Sequence, residues 1–279
     1  MPWTGKNGNL CEYCRPFKRV TTKWRHPSGT GFEYGLYTSP GLPPDEAEYI
    51  EKYFMGLTDS SASKAQQVLL SWGKLGVQTI TIEERIGWAR FLYALSVRTP
   101  EQIANLTKKY VAMLPGMVEN YRDVYSAKRR ASDPADFDDF KSRYLANPKN
   151  QSPLHAFPGM LNSELVLPAI AQMTFRTLHI TQFAGPTFLT SDRPFIMTDG
   201  IGRPGAHIVI PISPTILFLA ENGDNVYRHM MSLSAKALAR TVNEKVTEQA
   251  HRYVYGVNPS QQAFVENRLG KKAVASPLG

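Results

Sequence analysis

Cysteine is nearly absent: the 279 residues hold two, Cys11 and Cys14, a count that excludes a disulfide framework. A Cys-x-x-Cys pair is half of a zinc site or a redox pair, but no second pair follows, and the nearest histidine is His26, ahead of Pro27. A redox pair opens a helix after a strand, whereas Leu10–Arg15 reads as a strand, so both thiols are taken as strand residues. Long apolar runs are lacking as well. The most apolar segments, Leu165–Ala171 and Ile208–Ala220, are short or broken by Pro168, Pro211 and Pro214, and a bilayer span needs about 20 apolar residues. The opening residues, Met1 to Gly8, contain no stretch suited to a signal peptide. The chain is therefore expected to be soluble and cytoplasmic, with no membrane partner.

Catalytic signatures are missing too. No phosphate-cradling P-loop and no G-x-S-x-G elbow occurs, and the six histidines form no H-x-x-x-H or H-E-x-x-H pair. Gly200-Ile201-Gly202-Arg203-Pro204-Gly205 spells the dinucleotide fingerprint, yet Pro204 removes an amide and a strand follows where a helix is required. A long hairpin loop accounts for these glycines. His251 shares a helical stripe with Glu244 and Glu248; such spacing describes a solvated face, and no metal is assigned.

What the chain does have is positive charge, a net +8 with a pI near 9.4. That makes nucleic acid or another polyanion a candidate partner. The cations fall in small groups, Lys18-Arg19, Lys108-Lys109, Lys128-Arg129-Arg130 and Lys271-Lys272, without the interleaved aromatics of a stacking platform. A solvated surface is the plainer account of them.

The order of elements points to α+β. Asn9–Arg15 and Lys18–Arg25 read as a short N-terminal hairpin joined by Pro16-Phe17. A helical middle follows to about residue 176. Pro43-Pro44-Asp45 marks a helix start, with Ala47, Ile50 and Phe54 on one face; Ala62, Ala65 and Leu69 mark a second helix. Thr81 and Glu84 form a capping box for a central helix that presents Ile82, Ile86, Ala89 and Tyr93 on one stripe, with Trp88, Phe91, Leu92 and Leu95 widening it. Thr99-Pro100 starts another helix, expected to kink or break at Pro115-Gly116, and Ser132-Asp133-Pro134 a shorter one. After residue 176 alternation takes over: Thr177–Phe183, Phe188–Thr190, Phe195–Thr198, His207–Ile212 and Thr215–Glu221 predict an antiparallel or mixed sheet. C-terminal helices capped at Ser234 and spanning Ser260–Leu269, around a brief extended Tyr253–Tyr255, should pack on that sheet. No repeat or linker interrupts the chain, so residues 1–279 are read as a single domain.

One turn stands out as a place for chemistry. Thr190-Ser191-Asp192-Arg193-Pro194 sets donors, acceptors and charge between two apolar strand-like runs. As a site, Asp192 serves as base or metal ligand and Arg193 as an anion clamp. As structure, Ser191 and Asp192 bind nearby amides. Arg98, at the end of the tryptophan-bearing helix, can bind the last carbonyls or meet a carboxylate such as Asp192. Asn243, beside Val242, is either a satisfied buried amide or a ligand contact.

Several segments occur in a familiar order: Leu10-Cys11-Glu12-Tyr13, Gly35-Leu36-Tyr37-Thr38, Tyr49-Ile50-Glu51, Arg98-Thr99-Pro100, Leu189–Pro194, Pro211-Ile212-Ser213-Pro214, Asn243 and Arg252-Tyr253-Val254-Tyr255. Together they resemble the mostly bacterial family catalogued as domain of unknown function 4238. The Thr-Ser-Asp-x-Pro turn followed by Pro-x-Ser-Pro is the most specific part. The resemblance implies no activity, substrate or cofactor. The family's pattern opens with a His-x-x-Pro segment that this chain begins too late to contain; His26-Pro27 and His155-Ala156-Phe157-Pro158 lie in other contexts. The segment is expected either to be lost or to lie upstream.

Two functions are carried forward. In the first, the chain is a hydrolase of a phosphoester or other small anionic substrate, with Asp192, Arg193 and Arg98 as catalytic residues and Thr190, Ser191 and Asn243 as substrate contacts. In the second it is a non-catalytic module that binds nucleic acid or a protein through its basic surface. Neither reading names a cofactor.

Overall fold

The computed structural model describes residues 2–31, 56–72, 80–180, 185–198 and 200–271. In chain order the elements are β1 (Leu10–Cys14), β2 (Thr21–Arg25), α1 (Gly56–Ser71), α2 (Ile82–Val97), α3 (Pro100–Glu119), α4 (Arg122–Lys128), α5 (Phe137–Ala146), α6 (Phe157–Leu161), α7 (Val166–Gln172), β3 (Thr174–His179), β4 (Thr190–Ser191), β5 (Ile196–Thr198), β6 (His207–Pro211), β7 (Ile216–Glu221), α8 (Asn225–Ser232), α9 (Ala235–Gln249), β8 (Tyr253–Gly256) and α10 (Gln262–Glu266). The fold is α+β. The helix start at Pro43–Asp45, with Ala47, Ile50 and Phe54, lies outside the described residues.

Chain contacts gather the described residues into two compact units: one of 2–31, 60–72, 80–96 and 164–271, the other of 56–59 and 97–163. The first holds two antiparallel four-stranded sheets, ordered β2-β1-β8-β4 and β3-β7-β6-β5. The strands after residue 176 therefore divide between two sheets, because β4 and β8 join the N-terminal hairpin. The register Glu12↔Tyr255 and Thr190↔Tyr255 fixes that junction.

The second sheet is covered on both faces. Leu178, Val209, Leu217 and Leu219 pack with Phe188 and with Leu238, Val242 and Val246 of α9. On the other face Phe218 meets Phe175 at 5.0 Å and Trp88 of α2 at 5.5 Å, both edge-on, in the geometry aromatic rings prefer. Every residue of β7 is buried for this reason, and its apolar residues run on without alternation.

Local rules place the helix ends. In α2 the capping box forms as expected: Thr81 N–H donates to Glu84 Oε2 at 2.9 Å and Glu84 N–H to Thr81 Oγ1 at 3.2 Å. Ile82, the first residue of α2, is exposed, while Trp88, Ala89, Leu92, Tyr93 and Val97 are buried. In the second unit, Thr99 caps α3, which carries Pro115 inside and continues to Glu119. The interruption falls at Asn120–Tyr121, five residues later than Pro115 suggests, before α4. The shorter helix α5 is capped by Asp136 rather than launched at Ser132. Leu114, Val118, Tyr125 and Phe137 form this unit's core.

On its surface Glu119 accepts from both Arg122 and Lys141. These two cations, Arg122 foremost, hold its carboxyl down at about 2. A carboxyl lowered on folding stabilises the fold above its unfolded value and loses that contribution as pH falls through its folded value. The stability difference between wild type and Glu119→Gln, followed by thermal unfolding, should be constant above the ordinary value of 4.5 and shrink as pH falls toward about 2. A difference that does not change with pH would refute the pairing.

Candidate functional site

The turn picked out by the sequence carries the chain from one sheet of the first unit to the other, between β4 and β5. Thr190 and Ser191 pair with Tyr255 and Val254 as the outer strand. Ser191 Oγ accepts the Arg193 N–H at 3.1 Å, closing a hydroxyl turn. Asp192 reaches much further along the chain. Its Oδ1 accepts the N–H of His251 at 2.9 Å, and its Oδ2 accepts those of Arg252 at 2.6 Å and Tyr253 at 3.0 Å. Its own N–H returns to the carbonyl of Tyr253 at 3.1 Å. Three successive amides at the entry to β8, where α9 has ended, thus converge on one carboxylate. Such amides have no helical or ladder partner and need an acceptor.

Asn243 of α9 is fully buried and has several partners. Its Oδ1 accepts the Leu189 N–H at 2.8 Å, and its Nδ2 donates to the Thr187 carbonyl at 2.9 Å and to Gln261 Oε1 at 3.0 Å. Gln249, near the end of α9, donates to the carbonyls of Arg193 and Phe195. Asn243 and Gln249 tie the chain around β4 to α9; Asp192 ties it to β8. Arg98 belongs to the second unit, where its Nη1 pairs with Asp59 at 3.2 Å. The structure thus brings Thr190, Ser191, Asp192, Arg193 and Asn243 into one region of the first unit.

The same end of the first sheet gathers positive charge. The last ladder pairs there are Cys14↔Thr21 and Cys14↔Tyr253, and Asp192 faces Tyr253. One residue further along this register come Arg15, Arg252 and Arg193. Arg193 Nη2 lies 3.4 Å from His251 Nδ1. Arg15 binds the carbonyls of Glu266, the last residue of α10, and of Leu269 beyond it, a favoured place for a guanidinium. Above this row the hairpin tip exposes Pro16, Phe17, Lys18 and Arg19, which with Thr21 line a shallow, open hollow of about 590 Å³. From Tyr13 to Phe32 the sequence holds Arg15, Lys18, Arg19, Lys23 and Arg25 and no acidic residue.

Several members of this region escaped sequence reasoning. Arg252 and Gln249 matter only once β8 is known to pair with β1 and β4. Phe17 and Trp24 of the hairpin are 88% and 52% exposed. On one face of the sheet a buried polar row also forms. Glu12 accepts from the Thr30 hydroxyl, which lies 3.1 Å from the Tyr255 hydroxyl. Burial above all, with the Asp192 and Glu12 charges adding to it, pushes the Tyr255 phenol up, so it stays protonated. Gly31 adopts φ +72°, and a Cβ there would stand 2.8 Å from the Tyr255 hydroxyl; the backbone can close over the phenol only with glycine in place.

The two thiols behave as strand residues. Three positions apart on β1, Cys11 and Cys14 project to opposite faces and cannot share a metal, and burial pushes the Cys11 thiol up. Among the described residues no group of three or more His, Cys, Asp and Glu side chains is arranged to hold a metal ion, and no helix is long and apolar enough to cross a membrane.

The family described as "Protein of unknown function (DUF4238)" matches residues 1–260, and the chain belongs to it. No curated protein and no solved structure matches the chain.

Replacing the carboxylate tests what it holds. Asp192→Ala should lower the unfolding free energy by about 2–3 kcal/mol, because three amides lose a charged acceptor. Asp192→Asn, which keeps one carbonyl, should lose less. Urea denaturation measures both, and wild-type stability in the alanine variant would dismiss the staple.

Proposed function

We propose that the protein is a nucleic-acid-binding module that uses the basic N-terminal hairpin of its first sheet and carries out no reaction on its ligand. One observation carries this reading. Lys18, Arg19, Lys23, Arg25 and Arg252 are exposed on the hairpin and at the start of β8. The carboxylate beside Arg252, Asp192, is already engaged by backbone amides. Five exposed cations face two carboxylates, Asp192 and Glu12, the latter 3.9 Å from Arg25, and the positive excess draws in a polyphosphate backbone.

The hydrolytic alternative asks Asp192 to act as base or metal ligand. A carboxylate whose oxygens already accept three backbone hydrogen bonds has little coordination capacity left, so the geometry favours binding over hydrolysis. In the binding reading Arg193 contributes charge, while Thr190, Ser191 and Asn243 hold the strand beneath it. Free thiols at Cys11 and Cys14 suit a reducing, cytoplasmic setting, where nucleic acid is plentiful.

Phosphate neutralisation has a quantitative signature. If Lys18, Arg19, Lys23, Arg25 and Arg252 each meet a phosphate, the log–log salt slope of binding should be about −3.5 to −4.5. Replacing Lys18 and Arg19 together by Ala should reduce its magnitude by about 1.5, and Asp192→Asn should leave it unchanged. Fluorescence anisotropy with a labelled oligonucleotide reads these slopes. Salt-independent binding, or no binding at low salt, would overturn the proposal.

A further inference from the structure

Charge alone does not distinguish a duplex from a single strand; the exposed rings of the hairpin do. Phe17 is 88% exposed at the hairpin tip, and Trp24, on the outer strand β2, is 52% exposed. Trp88, Phe218, Phe188 and Tyr13, by contrast, lie in the core of the first unit. Phe17 and Trp24 bracket the cations. Lys18 and Arg19 follow Phe17 directly, whereas Lys23 and Arg25, although next to Trp24 in sequence, project from the opposite face of β2, where Arg25 Nε lies 3.9 Å from Glu12 Oε1. Trp24 lies three steps beyond Thr21, about 10 Å of strand, so the two rings are set apart along the hairpin and do not form one apolar tip.

We infer that the hairpin is a platform for a single-stranded nucleic acid, with unpaired bases stacked on Phe17 and Trp24 and the phosphates between them held by Lys18 and Arg19. This rests on the nucleic-acid reading above and narrows it. Each element of the arrangement has a physical reason. A base in a duplex already has both faces stacked and offers none to an incoming ring, whereas an unpaired base gains by stacking on an aromatic side chain. Stacking does not read base identity, so binding should be tolerant of sequence. The antiparallel pairing of β2 with β1, from Leu10↔Arg25 to Cys14↔Thr21, holds the platform without using either ring.

The test uses the full chain, with oligo(dT) and oligo(U) as single-stranded probes, a mixed-sequence DNA duplex of equal length, and vesicles of phosphatidylserine. Single strands should bind more tightly than the duplex, and the oligo(dT) and oligo(U) arms show whether DNA or RNA is preferred. Phe17→Ala and Trp24→Ala should each weaken single-strand binding by roughly 5- to 150-fold, the loss of one stacked base, with the salt slope retained. Both side chains are exposed, so circular dichroism should show the fold unchanged. Quenching of tryptophan emission by oligo(dT) that disappears in Trp24→Phe would place a base at that ring. Duplex binding as tight as single-strand binding, or ring variants within twofold of wild type, would overturn the platform while leaving the electrostatic reading intact. Vesicle binding lost in Phe17→Ala, without oligonucleotide binding, would replace the nucleic acid with a membrane surface. Failure to bind any probe at low salt would remove the nucleic-acid reading itself.

Discussion

The carboxylate of Asp192 is the interaction on which the rest of the first unit depends. It accepts from three consecutive residues, His251, Arg252 and Tyr253, and so fixes the entry into β8, the strand that joins β1 to β4. Asn243 and Gln249 of α9 add the second set of ties, to Leu189 and Thr187 and to Arg193 and Phe195. A segment that leaves one sheet and enters another has few ladder bonds of its own: β4 is two residues long. Side chains therefore supply the hydrogen bonds that regular pairing would provide elsewhere.

Local signals in the sequence carried the helix starts well. Ser234, Thr99 and the Thr81–Glu84 box all cap where their residue types indicate. Strand positions after residue 176 were legible from alternation, and an α+β order from the succession of periods. Non-local facts were not. Nothing in Tyr253-Val254-Tyr255 says that it pairs with Cys11–Cys14 on one side and with Thr190-Ser191 on the other, because register over such distances is set by packing and not by neighbours. Helix α8 went unseen, its start held by a residue outside it: Glu221 of β7 accepts the N–H groups of Val226 and Tyr227.

The candidate site shows the same division. Residue types singled out Asp192, Arg193 and Asn243, and the chain does bring these together with Thr190 and Ser191. Their partners could not be read, since Asp192 binds amides about sixty residues away rather than those of its own turn. Positive charge that is scattered along the sequence is collected by topology, which sets Arg252 and Arg193 beside the hairpin cations. Exposure of Phe17 and Trp24 is likewise a tertiary property; from composition alone either ring could have been core.

The central position of β1 sets a condition on biosynthesis. Cys11 and Gly256 are ladder partners, so β1 has no neighbour on that side until β8, far along the chain, has been made. During that interval the hairpin is a two-stranded ribbon, which is marginally stable in water, and its inner edge is open to unwanted pairing. The cations at its tip repel one another and other copies of themselves, so the nascent chain is kept apart from its neighbours by the same charges the finished protein displays.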